Sequence, residues 1–575
     1  MTRAGLGDLD PLIDEAMAEW QVPGLALCVV RDGEPDLLRV YGQRDVEAGL
    51  PVTIDTQFTL CSITKSFTAA GLGMLVDERR LDWTKPVREY LPEFRLHDPI
   101  ATDRVTVQDL LCHHSGLPRH DWVWMTGDLS RDEMFAALRY LEPSRDIRTS
   151  YQYSNLGYLV AGMIAERITG QSWEDFTRDR ILAPLRMTHV GFSAEDLERA
   201  EDSAWPYVMA DDEPGVFVRR RAKLWPIRNT PAGGINAAIS DMAHYLRFHL
   251  SGGRYDDVQL LSKATLQTMQ TPRVHTSRSE FAEIGDYHYG FGLASHHYRG
   301  ERVVGHSGGW VGWGTLMTML PEHGAGAVIL TNRAPSPVTD IVSMAVIDRL
   351  CDKDPVSFLD RFRTRRRAFM AQRAVDRQAR RVARKTSSGP TRLLAEYVGD
   401  YDHPGYGRIT IDATGEALHW RFRSLTGALT HRHYDVFEVP EQPDTLSPDL
   451  LAITFGYDRE GNINRLSAPL EVQVSDIVFT REARGEVLDP EFRVSCVGTY
   501  QGAIKHVVAL DGDGQLTLSP TGQPTYCLVP YVDRVFSIKE LEGYRVEFQR
   551  DDAGVVGTII FHQPNGTFVA QRIAT

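Results

Sequence analysis

The chain of 575 residues carries a formal net charge of -14, with 42% hydrophobic and 24% charged residues. That is the balance of soluble globular domains, in a length sufficient for several of them. The acidic sign excludes a general attraction to nucleic acid or to an anionic membrane. The expected partner is therefore a small-molecule or short-peptide substrate, with self-assembly into a homo-oligomer left open.

The N-terminal stretch lacks a basic region followed by an apolar core, and Asp8, Asp10, Asp14 and Glu15 interrupt it. This reads as no secretory signal, no later segment reads as a bilayer span, and a cytoplasmic location is expected. The 6 cysteines, Cys28, Cys61, Cys112, Cys351, Cys496 and Cys527, show no CxxC spacing and read as reduced thiols. No metal and no cofactor are expected.

In chain order, an opening helix is expected from about Asp8 to Trp20. Leu25 to Val30, the turn Arg31-Asp32-Gly33 and Leu37 to Tyr41 read as a hairpin. Helical patterns dominate until about residue 300. Val303 to Gly305, Thr315 to Leu320 and Ala327 to Thr331 read as a second set of strands. Strands at both ends with helices between predict one sheet assembled from the two ends of a hydrolase domain spanning residues 1–355.

Residues 356–390 form an Arg-rich linker. Ten arginines between residues 361 and 385, interspersed with Phe362, Phe369 and Val382, predict a solvated helix that pairs with acidic surface and ends in a break at Thr386 to Pro390. The remainder has the short alternating segments of all-β structure. Val398-Gly399-Asp400-Tyr401 recurs as Val497-Gly498-Thr499-Tyr500, and Phe455, Asp458 and Gly461 recur as Phe548, Asp551 and Gly554. Two tandem antiparallel barrels, residues 391–485 and 486–575, are expected.

Three motifs carry chemistry. Ser62-Ile63-Thr64-Lys65 precedes apolar residues at helical spacing (Phe67, Ala70, Leu72, Leu75), so Ser62 and Lys65 share a helix face. A serine hydroxyl needs a base, and a lysine with a lowered pKa can serve; an N-capping serine followed by a surface lysine would show the same pattern. Tyr153-Ser154-Asn155 precedes an amphipathic helix, where a phenol can relay a proton and an amide can orient a lysine. Val303 to Trp310 runs a strand into His306-Ser307-Gly308-Gly309, where glycines allow close backbone approach. Cys61, beside Ser62, reads as a buried small residue packed behind it.

Together and in this order, the three motifs resemble the serine β-lactamase and penicillin-binding-protein superfamily, in its class C-like branch of D-aminopeptidases and esterases. The stretches QVPGLAL, DLLCHHSGLP, PAGGINAAISDMAHY and YGFGL are similar to that branch as well. The resemblance implies an α/β (α+β) β-lactamase/transpeptidase-like domain, an antiparallel sheet flanked by helices, ahead of two lipocalin-like barrels. It also implies roles. Ser62 forms an acyl-enzyme. Lys65 and Tyr153 share base work, and Tyr153 protonates the leaving group. Asn155 positions substrate, and His306 polarises Tyr153 or meets the substrate. Gly308 and Gly309 lie at the substrate, with the Ser62 and Gly309 N–H groups as the oxyanion hole.

Two departures from the family pattern stand out. His306 replaces the usual lysine, which removes a cation suited to penicillins. Cys112-His113-His114 replaces a threonine-rich run, and three consecutive residues are poorly placed to converge on one metal ion. The expected activity is hydrolysis of small amides or peptides, with D-residues among them, and the alternative is a carboxylesterase of short acyl esters. A β-lactamase or a non-catalytic ligand-binding sensor ranks lower.

Overall fold

The computed structural model describes residues 6–213, 216–222, 227–383, 388–439, 451–459, 461–541 and 543–573. Its core is a nine-stranded antiparallel sheet. In spatial order the strands are 274–277, 287–289, 294–298, 301–310, 313–320, 325–331, 24–31, 34–45 and 50–51. The N-terminal hairpin joins the later strands through Leu25 opposite Thr331 and Arg31 opposite Ala325, so both ends of the domain build one sheet. The hairpin turn takes Asp32 and Gly33 at φ +53° and +80°, the two left-handed positions that suit a tight turn between right-twisted strands.

Both faces of the strand Gly24–Arg31 are covered, which explains its unbroken apolar run. Leu25, Leu27 and Val29 pack with Ile13, Ala16 and Met17 of the opening helix Asp10–Glu19, and with Val338, Ile341 and Val342 of the helix Val338–Leu350. Ala26, Cys28 and Val30 face the other way, into the large core shared with the helical region. That core holds the helix Thr64–Asp77, buried on every side from Thr64 to Leu75. A helix buried all round has no polar stripe to read.

The basic segment is the helix Phe358–Ala383. Its first turns are ion-paired: Arg361 with Glu283 at 2.6 Å, and Arg363 with Glu15 and Glu19 at 2.8 and 3.1 Å. Residues 384–387, which include Thr386 and Ser387 at the start of the expected break, lie outside the described residues.

Two antiparallel β units follow. The first is a nine-stranded barrel-like sheet whose edge strands, Leu425–Ala428 and Thr430–His433, are separated in sequence by Leu429 alone. The second is a closed barrel of the strands from Gly498–Gln501 to Gly566–Ile573. The repeated residues make the same contacts in both. Tyr401 donates to the Tyr397 carbonyl and Tyr500 to the Cys496 carbonyl, each at 2.8 Å. Among the described residues, no helix is long and apolar enough to cross a membrane.

Candidate active site

Ser62 sits in the 3-10 turn Cys61–Ile63 that leads into the helix Thr64–Asp77. Cys61 holds φ +52°, a left-handed value costing roughly 1–3 kcal/mol in a non-glycine residue. Its side chain is buried, and burial raises its thiol pKa, so the residue next to the serine is no thiolate.

Lys65, fully buried, projects from the same face as Ser62. Its Nζ lies 3.0 Å from Ser62 Oγ, 2.8 Å from Asn155 Oδ1 and 2.7 Å from the Ala232 carbonyl. Burial, then the Arg119 cation, hold its pKa well below the ordinary lysine value. A neutral amine fits this setting. Its two hydrogens go to two oxygens that can only accept, which leaves its lone pair facing the Ser62 hydroxyl. Tyr153 donates to Ser62 Oγ at 2.8 Å. Burial pushes the phenol up to about 12, against the lowering effect of that bond, so Tyr153 keeps its proton.

Asn155 opens the helix Asn155–Thr169, and Tyr153 and Ser154 precede it. Its Nδ2 donates to Asp121 Oδ1 at 3.2 Å. Asp121 also accepts from Trp124 Nε1 at 2.8 Å and from Arg119 Nε at 2.5 Å. These bonds fix which end of the amide meets Lys65. The guanidinium of Arg119 lies 4.9 Å over the Tyr153 ring.

The strand Glu301–Trp310 passes beside this group. Its pairing with Ala294–Tyr298 ends at Gly305, whereas its pairing with Trp313–Leu320 continues to Trp310. One backbone edge of 306–310 is thus left outside that ladder. A Cβ on Gly308 would lie 2.3 Å from the Leu60 carbonyl oxygen and 2.9 Å from Cys61 Cβ. Gly308 therefore lets the strand approach the serine turn, rather than contacting substrate as expected. Gly309 does line the cleft, with Ser62, Arg119, Trp124, Asn155, Asn229, Gly233 and Trp310. Trp124 and Trp310 pack together, with ring centroids 4.9 Å apart.

His306 departs from expectation. Its Nδ1 is 2.5 Å from the Ser307 carbonyl and its Nε2 is 2.7 Å from the Tyr289 hydroxyl. A carbonyl only accepts, so Nδ1 carries the hydrogen and Nε2 receives the Tyr289 proton. Burial, then Lys65, push this imidazole down to about 3. Both nitrogens are used, so His306 is a neutral buttress that does not polarise Tyr153. His113 is another neutral buried imidazole, with its Nδ1 accepting from the Ser154 N–H at 3.0 Å and its ring 4.3 Å from that of Tyr153.

The structure thus brings Ser62, Lys65, Tyr153 and Asn155 together, with Gly309 at the rim and His306 and Gly308 behind. Arg119, Asp121, Trp124, Tyr289 and Asn229 lie outside the three chemistry-bearing motifs. Arg119 directly follows the DLLCHHSGLP stretch and Tyr289 begins YGFGL, so both were within sight of noted motifs. Gly292 of that second stretch, at φ +68°, would place a Cβ 2.6 Å from the Lys65 carbonyl oxygen, so it seats the loop on the serine helix.

The family model described as Beta-lactamase matches residues 9–348, and one described as Domain of unknown function (DUF3471) matches residues 383–481. The chain is 30% identical to Unguisins hydrolase ungD' of Aspergillus campestris over 429 residues, which is 70% of this chain and 77% of that protein. It is 27% identical to Unguisins hydrolase ungD of Aspergillus violaceofuscus over 456 residues, 72% of this chain and 78% of that one. The octameric penicillin-binding protein homologue from Pyrococcus abyssi superposes with a TM-score of 0.55 at 25% identity, covering 83% of this chain and 100% of its own. With the matched model spanning more than half of its length, the chain belongs to the beta-lactamase family and is an enzyme of the serine hydrolase kind.

Proposed function

We propose that the chain hydrolyses small amides or short peptides, D-residue substrates among them, through an acyl-enzyme on Ser62. The observation that carries this reading is the convergence of Lys65 Nζ and Tyr153 Oη on one oxygen, at 3.0 and 2.8 Å. Ser62 Oγ attacks the substrate carbonyl carbon while its proton passes to the Lys65 amine. The resulting oxyanion is met by the N–H groups of Ser62 and Gly309, donors of a type worth about 3–4 kcal/mol each. As the C–N bond breaks, Tyr153 gives its proton to the departing amine and recovers one from the Lys65 ammonium. Water then attacks the ester, the freed amine of Lys65 takes the water proton, and that proton returns to Ser62 as the acid leaves.

The proton held by Tyr153 favours amides over esters. An amine departs only when protonated, whereas an alkoxide from an activated ester needs less help. The relatives named unguisins hydrolase support hydrolysis in general terms. A carboxylesterase remains the second reading, because the same oxygen and base suffice for esters. The cleft supplies no lysine at position 306, and the neutral His306 weighs against efficient turnover of penicillins. Assembly into a homo-oligomer is in keeping with the octameric relative from Pyrococcus abyssi. The test is kcat/KM on matched D- and L-amino-acid amides and p-nitrophenyl esters. Stereoselective amide cleavage is expected. Turnover of esters with none of any amide would replace the first reading with the second.

A further inference from the structure

The loop carrying Arg119 and Asp121 has two sides. Arg119 faces the cleft, and Asp121 faces Asn155. Between them His120 turns the opposite way, completely buried and left-handed at φ +43°. What holds His120 comes largely from the sheet 399–481 and the segment that borders it. Glu471 Oε2 accepts the His120 backbone N–H at 2.8 Å, and the Tyr406 hydroxyl is 2.6 Å from His120 Nδ1. His120 Nε2 lies 2.9 Å from the Glu142 carbonyl, which can only accept, so Nε2 carries the hydrogen and Nδ1 receives the Tyr406 proton. The grip continues along the loop. Arg423 Nη1 donates to the Val123 carbonyl at 2.7 Å, Ser424 Oγ to Asp128 at 3.0 Å, and Trp122 packs edge-on against Phe422 at 5.9 Å.

We propose that the 399–481 sheet, within the span matched by the family of unknown function, is a working part of the active site. Its Glu471, Tyr406 and Arg423 are positioning residues that latch the Arg119–Asp128 loop. The line of contacts is continuous. Glu471 and Tyr406 fix His120, and His120 sets Asp121. Asp121 holds the Asn155 amide nitrogen, so that the Asn155 oxygen faces Lys65 Nζ. If Asp121 moves, the amide can rotate and present its NH2 to the amine, which puts donor against donor and turns the lone pair away from Ser62. The consequence is expected in acylation and kcat through Asn155 and Lys65, and it extends to substrate affinity only as far as Arg119 and Trp124, which the loop supplies to the cleft, also move.

This inference rests on Ser62 being the nucleophile, and the experiment separates the two. Full-length wild type, the double variant Glu471→Ala with Tyr406→Phe, Glu471→Gln and the control Arg408→Ala are labelled with a fluorophosphonate. Both the rate constant and the final stoichiometry at Ser62 are read by intact mass. Among the described residues, Arg408 pairs with Asp400, Asp402 and Glu482 of its own β unit. The double variant is expected to label roughly tenfold or more slowly, with a matching fall in kcat and full final stoichiometry. Glu471→Gln keeps an oxygen for the His120 N–H and should stay within about threefold of wild type, and Arg408→Ala should match wild type. A double variant that labels at the wild-type rate overturns the latch. So does a fall in stoichiometry at an unchanged rate constant, or an equal loss in Arg408→Ala, since each marks general destabilisation. A wild-type chain that takes no label at Ser62 overturns the nucleophile, and the latch with it.

Discussion

The two C-terminal β units share a repeat yet stand in different relations to the catalytic domain. In each, a repeated tyrosine closes onto the carbonyl four residues earlier, and an arginine crosses the repeated glycine to reach the carbonyl just before it: Arg481 to Val398, Arg572 to Val497. Only the first unit, among the described residues, grips the active-site loop. The second meets the first, through Arg545 and Tyr531 on Asp458. The repeat thus records how each unit packs within itself. Attachment to the site depends on Tyr406, Arg423 and Glu471, which lie outside the repeat.

Matched substitutions sharpen that contrast. Tyr401→Phe and Tyr500→Phe each leave a buried carbonyl without its donor, at a cost of about 1–3 kcal/mol. Both should lower the melting temperature by several degrees. Tyr401→Phe should also reduce kcat, because it loosens the unit that holds His120, whereas Tyr500→Phe should leave kcat unchanged while the barrel is folded. Equal activity losses in both would erase the distinction; a thermal melt paired with steady-state kinetics decides.

A smaller effect is expected at the loop itself. On the proposed mechanism Lys65 works as a free amine, so kcat/KM should rise with pH through its depressed pKa. Arg119 is a cation that disfavours the protonated lysine. Arg119→Met therefore raises the Lys65 pKa and shifts the acidic limb of the profile to higher pH. A limb that stays in place would show that Arg119 does not act on Lys65.

Much of the site was legible because its chemistry is local in sequence. Ser62 and Lys65 sit one helical turn apart, and Tyr153 and Asn155 flank a helix start. The antiparallel sheet was legible for a similar reason, since its strands are apolar runs bounded by glycine turns, and the two-unit tail could be read from its repeat. Other features depend on neighbours far along the chain. His306 looked catalytic from its place at the end of a glycine-rich strand, yet its nitrogens are spent on Tyr289, contributed by another strand, and on its neighbour's carbonyl. Gly308 looked like a substrate contact and instead makes room for the Leu60–Cys61 turn. Arg119 faces the cleft and Asp121 meets Asn155 on either side of a left-handed His120, whose N–H goes to Glu471, 351 residues away. No local pattern announces such a contact.

The central claim, that Ser62 is the nucleophile activated by Lys65, is tested most directly by intact-mass analysis after fluorophosphonate treatment of the wild type and Ser62→Ala. The account predicts a single adduct mapping to Ser62 in the wild type, and none in a Ser62→Ala chain with an unchanged melting temperature and no turnover. An adduct of equal yield in the variant, or full turnover by it, would contradict the account.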